Sequence, residues 1–187
     1  MLTFSLPGTP VLTTERLVLR AVRPADAPQM LAMRSDPEVM RHVSRPLLAS
    51  HEEALAFIAK VEASVAANEA VQWAMARKDD DLFVGMIGFW RLEREHHKGE
   101  LGYMLARAHW GVGYMREALA AVVPFGFREL GFHRVDALTR PENLASIRAL
   151  EANGFVREGH YRQSVFANGT FHDMLHYGRL AAAASLG

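Results

Sequence analysis

The hydrophobic period changes from one segment of the chain to the next, most sharply between Glu100 and Gly131. Leu101, Tyr103 and Leu105 alternate with Gly102, Met104 and Ala106, the period of two that marks a short strand. The next stretch, His109-Trp110-Gly111-Val112-Gly113-Tyr114, is too rich in glycine for either regular element. From Met115 the apolar residues fall at 115, 118, 119, 122, 123 and 127, which is helical spacing. It predicts a helix to Leu130 with Gly131 as its left-handed cap. Pro124 inside that helix lacks an N–H and should kink it. A glycine loop feeding a helix start leaves backbone N–H groups free beside the positive end of a dipole. Such a place binds anions, and phosphate is the usual biological one.

Glu15 to Val22 alternates as a first strand, and Pro24 and Pro28 then turn the chain. Asp26 is placed to cap a helix through Met30, Met33 and Arg34 that Asp36-Pro37 stops. A short helix and a loop fill 38–49. Ser50-His51-Glu52-Glu53 has the form of a capping box, and Leu55, Phe57, Ile58, Val61 and Val65 carry a long helix to about Ala67. Val71–Arg77 and Leu82–Arg91 read as strands around the polar turn Lys78-Asp79-Asp80-Asp81, with a charged loop from Glu93 to Lys98. After the long helix come a strand over Phe132–Thr139 and a helix from about Leu144, capped by Asn143 and closed by Gly154. Phe155–Ala167 and Thr170–Leu180 flank Asn168-Gly169, a strong hairpin signal, and the alanine tail after Leu180 should fray. Helices and strands are mixed without strict alternation. An α/β chain (α+β, mixed sheet) therefore fits better than a doubly wound one.

At 187 residues, half of them hydrophobic, the chain is expected to fold as a single domain, 1–187 with a core of about 12–180. Basic and acidic residues both number 21 and form no basic stripe, so no nucleic-acid partner is expected. Cysteine is absent, which removes disulfides, thiolate nucleophiles and zinc–thiolate sites. No apolar run reaches the ~20 residues of a membrane span. The first residues lack a signal peptide's basic start, so a cytoplasmic location is the expectation.

Gly111-Val112-Gly113 does not complete a nucleotide-binding motif. A P-loop ends in Gly-Lys-Ser/Thr where this chain has Tyr114-Met115, and Arg116 stands where the Rossmann fingerprint needs a third glycine. His96-His97 lies in a charged loop without further ligands at metal-binding spacing, so no metal is expected. Trp73, Phe89, Trp90 and Tyr103 sit on strands, where core packing and lining of a groove are both open. Asp173 is as well placed to orient neighbouring backbone as to do chemistry.

Four pieces in order resemble the GNAT superfamily of N-acetyltransferases, and within it the Rim-type ribosomal-protein N-terminal acetyltransferases. They are Thr14-Glu15-Arg16-Leu17-Val18-Leu19-Arg20; Glu100-Leu101-Gly102-Tyr103 followed by His109 to Tyr114 and Glu117-Ala118; Asn143-Leu144-Ala145-Ser146 with Gly154-Phe155; and Gly169, Asp173 and Tyr177. The resemblance implies two central strands, 100–105 and 132–139, that splay to admit the pantetheine arm of acetyl-CoA. It implies that backbone groups of Met104 and Leu105 bond that arm. Amides of Gly111, Val112, Gly113, Tyr114, Met115 and Arg116 would hold the pyrophosphate.

The activity it implies is direct acetyl transfer to an amine, most naturally the α-amine of a protein or peptide. A small-molecule amine acceptor and a non-catalytic acyl-CoA sensor are the alternatives. Where many relatives carry a proton-donating tyrosine, this chain has Leu150. Ser146 is then the expected acid, Asn143 a cofactor contact and Glu100 the expected base, a hairpin glutamate of some relatives being replaced by Val165. Met115 departs from the small residue common there and faces either core or phosphate site. Rim-type relatives often dimerise, so a homodimer is a further expectation of the resemblance.

Overall fold

The computed structural model describes residues 2–182. Its chain order is β1 (Leu12–Thr13), β2 (Leu17–Arg20), α1 (Ala27–Arg34), α2 (Pro37–Met40), α3 (His51–Ala66), β3 (Val71–Arg77), β4 (Phe83–Glu93), β5 (Lys98–Leu105), α4 (Tyr114–Arg128), β6 (Arg134–Thr139), α5 (Leu144–Ala152), β7 (Val156–Ala167) and β8 (Thr170–Leu180). The strands form one sheet in the order β1-β2-β3-β4-β5-β6-β8-β7. Every neighbouring pair is antiparallel except β5 and β6. This is the mixed α/β sheet expected from the order of elements.

The alternation of β3 divides the molecule into two layers. Val71, Trp73 and Met75 join one core with Ala118, Leu119, Val122 and Val123 of α4 and Leu150 of α5. Ala74 turns the other way, into a core with Met30 and Met33 of α1 and Ile58 and Val61 of α3. Trp73 is the largest fully buried side chain. Its ring meets Phe125 edge-on at 5.5 Å and Phe89 at 6.4 Å, and its indole N–H donates to the Pro10 carbonyl at 2.6 Å. Trp73 and Phe89 are thus core residues.

The middle of the sheet carries the feature that positions the site. β5 and β6 pair only over Lys98–Leu101 and Arg134–Ala137. β5 nevertheless runs on against β4 to Leu105, and β6 against β8 to Thr139. Past Leu101 the two strands have no strand partner on their facing edges, so the sheet opens there.

Several local expectations are corrected. A two-residue strand, Leu12–Thr13, precedes the first one foreseen, which is shorter at Leu17–Arg20. Asp26 precedes α1 but makes no capping hydrogen bond. Its carboxylate instead accepts from both terminal nitrogens of Arg20 at 2.8 Å and from the Arg23 amide at 3.0 Å, because the guanidinium of Arg20 at the end of β2 is the stronger donor. Ser50 does cap α3, accepting from the Glu53 amide, but Glu53 reaches back to the Ala49 amide rather than to Ser50. The charged loop is shorter than foreseen, since β5 begins at Lys98. α4 runs through Pro124 as one helix and ends before Gly131, which is left-handed as expected (φ 70°). Asn168 and Gly169 also have positive φ and close the β7–β8 hairpin. The alanine tail from Ala183 onward lies outside the described residues.

Trp73→Phe leaves the Pro10 carbonyl without its donor and removes ring volume from a closed core. The expected loss is ~2–4 kcal/mol, read as a fall of roughly 5–10 °C in Tm by calorimetry. An unchanged Tm would show that the indole does not anchor the amino-terminal segment.

Candidate active site

The glycine loop takes its shape from two left-handed residues, Gly111 (φ 77°) and Gly113 (φ 90°). A Cβ at Gly111 would touch nothing, so the backbone angle and the open approach to the loop, not crowding, call for glycine there. Gly113 is the N-cap of α4 and offers no side chain to cap it. The first N–H groups of the helix, from Tyr114 through Arg116, therefore point outward beside the positive dipole end.

The loop is held from below by the first strand region. Glu117, in the first turn of α4, accepts from Thr14 Oγ1 at 2.5 Å, the Arg16 amide at 2.8 Å and Arg16 Nε at 2.7 Å. Arg16 also donates to the Val112 carbonyl at 2.8 Å and lies over the Tyr114 ring at 4.9 Å. Thr14, Arg16 and Glu117 all stood out in the sequence. Their convergence on the loop was not visible there, because it spans about a hundred residues of chain.

On the open edge of β5, register decides which backbone groups are free. The Ala106 amide donates to the Val84 carbonyl directly opposite. By the alternation of an antiparallel ladder, Met104 also directs its N–H and C=O to β4. Tyr103 and Leu105 then face the gap. Met104 is accordingly corrected: its side chain lines the cleft, but its backbone is committed to the sheet. The Leu105 carbonyl already accepts from the Trp110 indole at 2.8 Å, a bond from the loop to the strand that the sequence did not reveal.

The gap and the loop open into one cleft of about 730 Å³. It runs from Gly111, Gly113 and Tyr114 to Arg116 past Asn143 and Ser146, and reaches Trp90, Glu100 and the 38–44 segment beyond the sheet. Val112 is exposed and stands outside the lining. Met115 does both things that were open for it, packing partly buried against the core while bordering the cleft.

Asn143 caps α5, its Oδ1 accepting from the Ser146 amide at 3.1 Å, which leaves its amide nitrogen for the cleft. Ser146 is buried, and its hydroxyl lies 2.7 Å from the hydroxyl of Tyr103. Burial pushes the Tyr103 phenol up to about 12, against the opposing pull of that hydrogen bond. Leu150, one turn on, is fully buried hydrocarbon. Thr139, at the end of β6, also borders the cleft, and its buried hydroxyl has no partner among the described residues.

Glu100 sits at the mouth beyond the sheet. Burial raises its carboxyl above the ordinary range, Arg91 opposes this, and Asp136 and Glu93 add to it. His42, in a segment without sequence signal, borders the same mouth. Burial and then Arg41 lower its pKa, and its Nε2 accepts from Arg41 Nε at 2.9 Å. Asp173 lies away from the cleft, accepting from the Gln163 amide at 2.8 Å and bonding His160 at 2.6 Å. It shapes the bulge of β7. Among the described residues no group of side chains could hold a metal ion, and no helix is long and apolar enough to cross a membrane.

The family model of the acetyltransferase (GNAT) domain matches residues 16–156. The chain belongs to the GNAT acetyltransferase family. The N-acetyltransferase YoaA of Bacillus subtilis, itself uncharacterized, is 35% identical over 88% of this chain and 93% of its own length. A GNAT-family acetyltransferase crystal structure from Bacillus anthracis superposes with a TM-score of 0.82 at 26% identity, covering 91% of this chain and 98% of that one. RimL, a ribosomal alpha-N-protein acetyltransferase solved in complex with coenzyme A, shares the fold with a TM-score of 0.83. It is 24% identical over 95% of this chain and 99% of its own. The protein is thus an N-acetyltransferase of this family, with the mixed sheet expected from the resemblance.

The Glu117 clamp has a pH signature. Burial alone would raise this carboxyl, but Thr14, the Arg16 amide and the Arg16 guanidinium together hold it below its ordinary 4.5. A depressed folded value gives stability that is complete above that pH and is lost as pH falls through the folded pKa. Glu117→Gln should therefore be less stable than wild type at pH 7 by ~1–3 kcal/mol, with the difference shrinking on acidification. Thermal unfolding at neutral and acid pH reads this out. A pH-independent difference would contradict it.

Proposed function

We propose that the protein transfers the acetyl group of acetyl-CoA directly to the α-amine of a protein or peptide N-terminus. The supporting observation is that one cleft passes through the sheet from the uncapped start of α4 to a second mouth at Trp90, Glu100 and the 38–44 segment. A donor and an acceptor can then meet at the opening between β5 and β6 from opposite sides. The RimL neighbour is an acetyltransferase of such an amine.

The residues present suit acetyl-CoA. The free N–H groups from Gly113 to Arg116 are placed to bond an anion, and Arg116 adds a cation in the first helical turn, a place where it opposes the dipole unless an anion is bound. The Tyr103 and Leu105 edge offers an added strand's hydrogen bonds, and the Asn143 amide nitrogen and Thr139 hydroxyl offer further partners. Glu100 takes the proton of the attacking amine, directly or through water, and a backbone N–H holds the oxyanion. As nitrogen bonds to the carbonyl carbon and the C–S bond breaks with its electron pair leaving on sulfur, the Ser146 hydroxyl donates a hydrogen bond to the departing sulfur, and the proton that Glu100 took from the amine is the one that ends on the CoA thiol. No thiol acyl-enzyme is involved.

Acetylation of a free N-terminal peptide, mapped by mass spectrometry, tests the acceptor. The same peptide with a blocked N-terminus should be inert. Acetylation only of small amines, or of lysine side chains, would contradict the reading.

Three variants test the residues. Arg116→Ala should weaken CoA binding by calorimetry while the apo protein is equally or more stable, and lost stability with unchanged affinity would reject that role. Ser146→Ala should slow transfer by ~10²–10⁴-fold at nearly unchanged acetyl-CoA affinity. Glu100→Gln should abolish the acid limb of the kcat/KM profile, because a carboxylate base works only above its raised pKa. An acid limb that survives would assign the base elsewhere, with His42 the neighbouring ring at the same mouth.

A further inference from the structure

The hydroxyls of Tyr103 and Ser146 lie 2.7 Å apart, and each is the other's partner among the described side chains. They come from different elements. Tyr103 shares the β5 face of Leu101, which belongs to the α4–α5 core, and Ser146 opens the first turn of α5. The helix itself supplies no second hydroxyl, since the residue one turn beyond Ser146 on the same face is Leu150. The serine is therefore oriented from the strand.

Only one direction of this bond is useful. A hydroxyl has one proton and two acceptor positions. If Ser146 donated to Tyr103, its proton would be turned away from the cleft. If Tyr103 donates, the Ser146 oxygen is occupied on that side and its proton is free to turn into the cleft. A phenol is far more acidic than an alcohol, so the phenol is the better donor and the alcohol the better acceptor. The chemistry of the pair favours the useful direction.

We propose that Tyr103 is a positioning residue for acetyl transfer, donating to Ser146 Oγ so that the serine hydroxyl is aimed at the thioester sulfur. This rests on the reading of Ser146 as the donor to sulfur. The C–S bond breaks with its electron pair leaving on sulfur, and the Ser146 O–H polarises toward that charge while Tyr103 O–H polarises toward the serine oxygen. Such a chain strengthens each bond by the other. Tyr103 keeps its proton throughout, because its phenol stands at about 12 and a thiol near 8.5. The proton that ends on CoA is the one the amine lost, returned from Glu100 or water. Tyr103 acts by direction and polarisation, not as a proton source.

Tyr103→Phe keeps the ring and removes only the donor. The expected result is a fall in kcat on the order of 10-fold, with the KM for acetyl-CoA within a factor of two of wild type. The decisive readout is the pair of backgrounds. Once Ser146→Ala has removed the oxygen that Tyr103 serves, adding Tyr103→Phe should change kcat by less than a factor of two. An equal fractional loss in both backgrounds would overturn the proposal, because it would mean that the phenol supports the site without acting through the serine. A Tyr103→Phe enzyme with wild-type kcat would overturn it too. If Ser146→Ala alone turns over like wild type, the reading of the serine fails first, and the inference with it.

Discussion

The site depends on an interrupted ladder. Two parallel strands share hydrogen bonds as far as Leu101 and Ala137 and then part, although each continues against its outer neighbour. Unpaired edges inside a protein are costly unless something bonds them. An extended ligand laid along the Tyr103–Leu105 edge meets that need and so reads as a missing strand. The same parting lets the cleft cross the sheet, so donor and acceptor can approach from opposite faces.

A second constraint keeps the glycine loop in place. The loop at Gly111–Gly113 has little packing of its own, since a Cβ at Gly111 would meet nothing. Glu117 and Arg16 tie it to the start of β2, and Trp110 ties it to the end of β5. Donors fixed before the ligand arrives need not be ordered by it, which is the usual source of tight binding at such loops. Arg16 is thereby used in holding backbone, and Arg116 remains the cation beside the free N–H groups.

Local pattern showed most of the elements. β3 begins and ends where its alternation does, α4 starts within one residue of its predicted start, and Asn168-Gly169 closes the hairpin. These are short-range signals set by side-chain period and backbone angle. The candidate site was legible where it too is local: the glycine loop and the Asn143–Ser146 helix start. What stayed hidden was set by register and by distance along the chain. Whether Met104 or Tyr103 faces the gap depends on a hydrogen bond between Ala106 and Val84, and a shift of one residue reverses it. Tyr103 meeting Ser146, and Glu117 meeting Thr14, are contacts between distant segments with no mark in either. His42 had no signal at all.

Hydrogen exchange with and without CoA tests most directly whether the parted strands hold the ligand. The account predicts that CoA slows exchange of the Tyr103 and Leu105 amides and of the amides from Gly113 to Arg116. The Met104 amide, already bonded to β4, should change little. Protection confined to the loop, with Tyr103 and Leu105 exchanging as fast as in the free protein, would contradict the claim that the open edge of β5 is where acetyl-CoA lies.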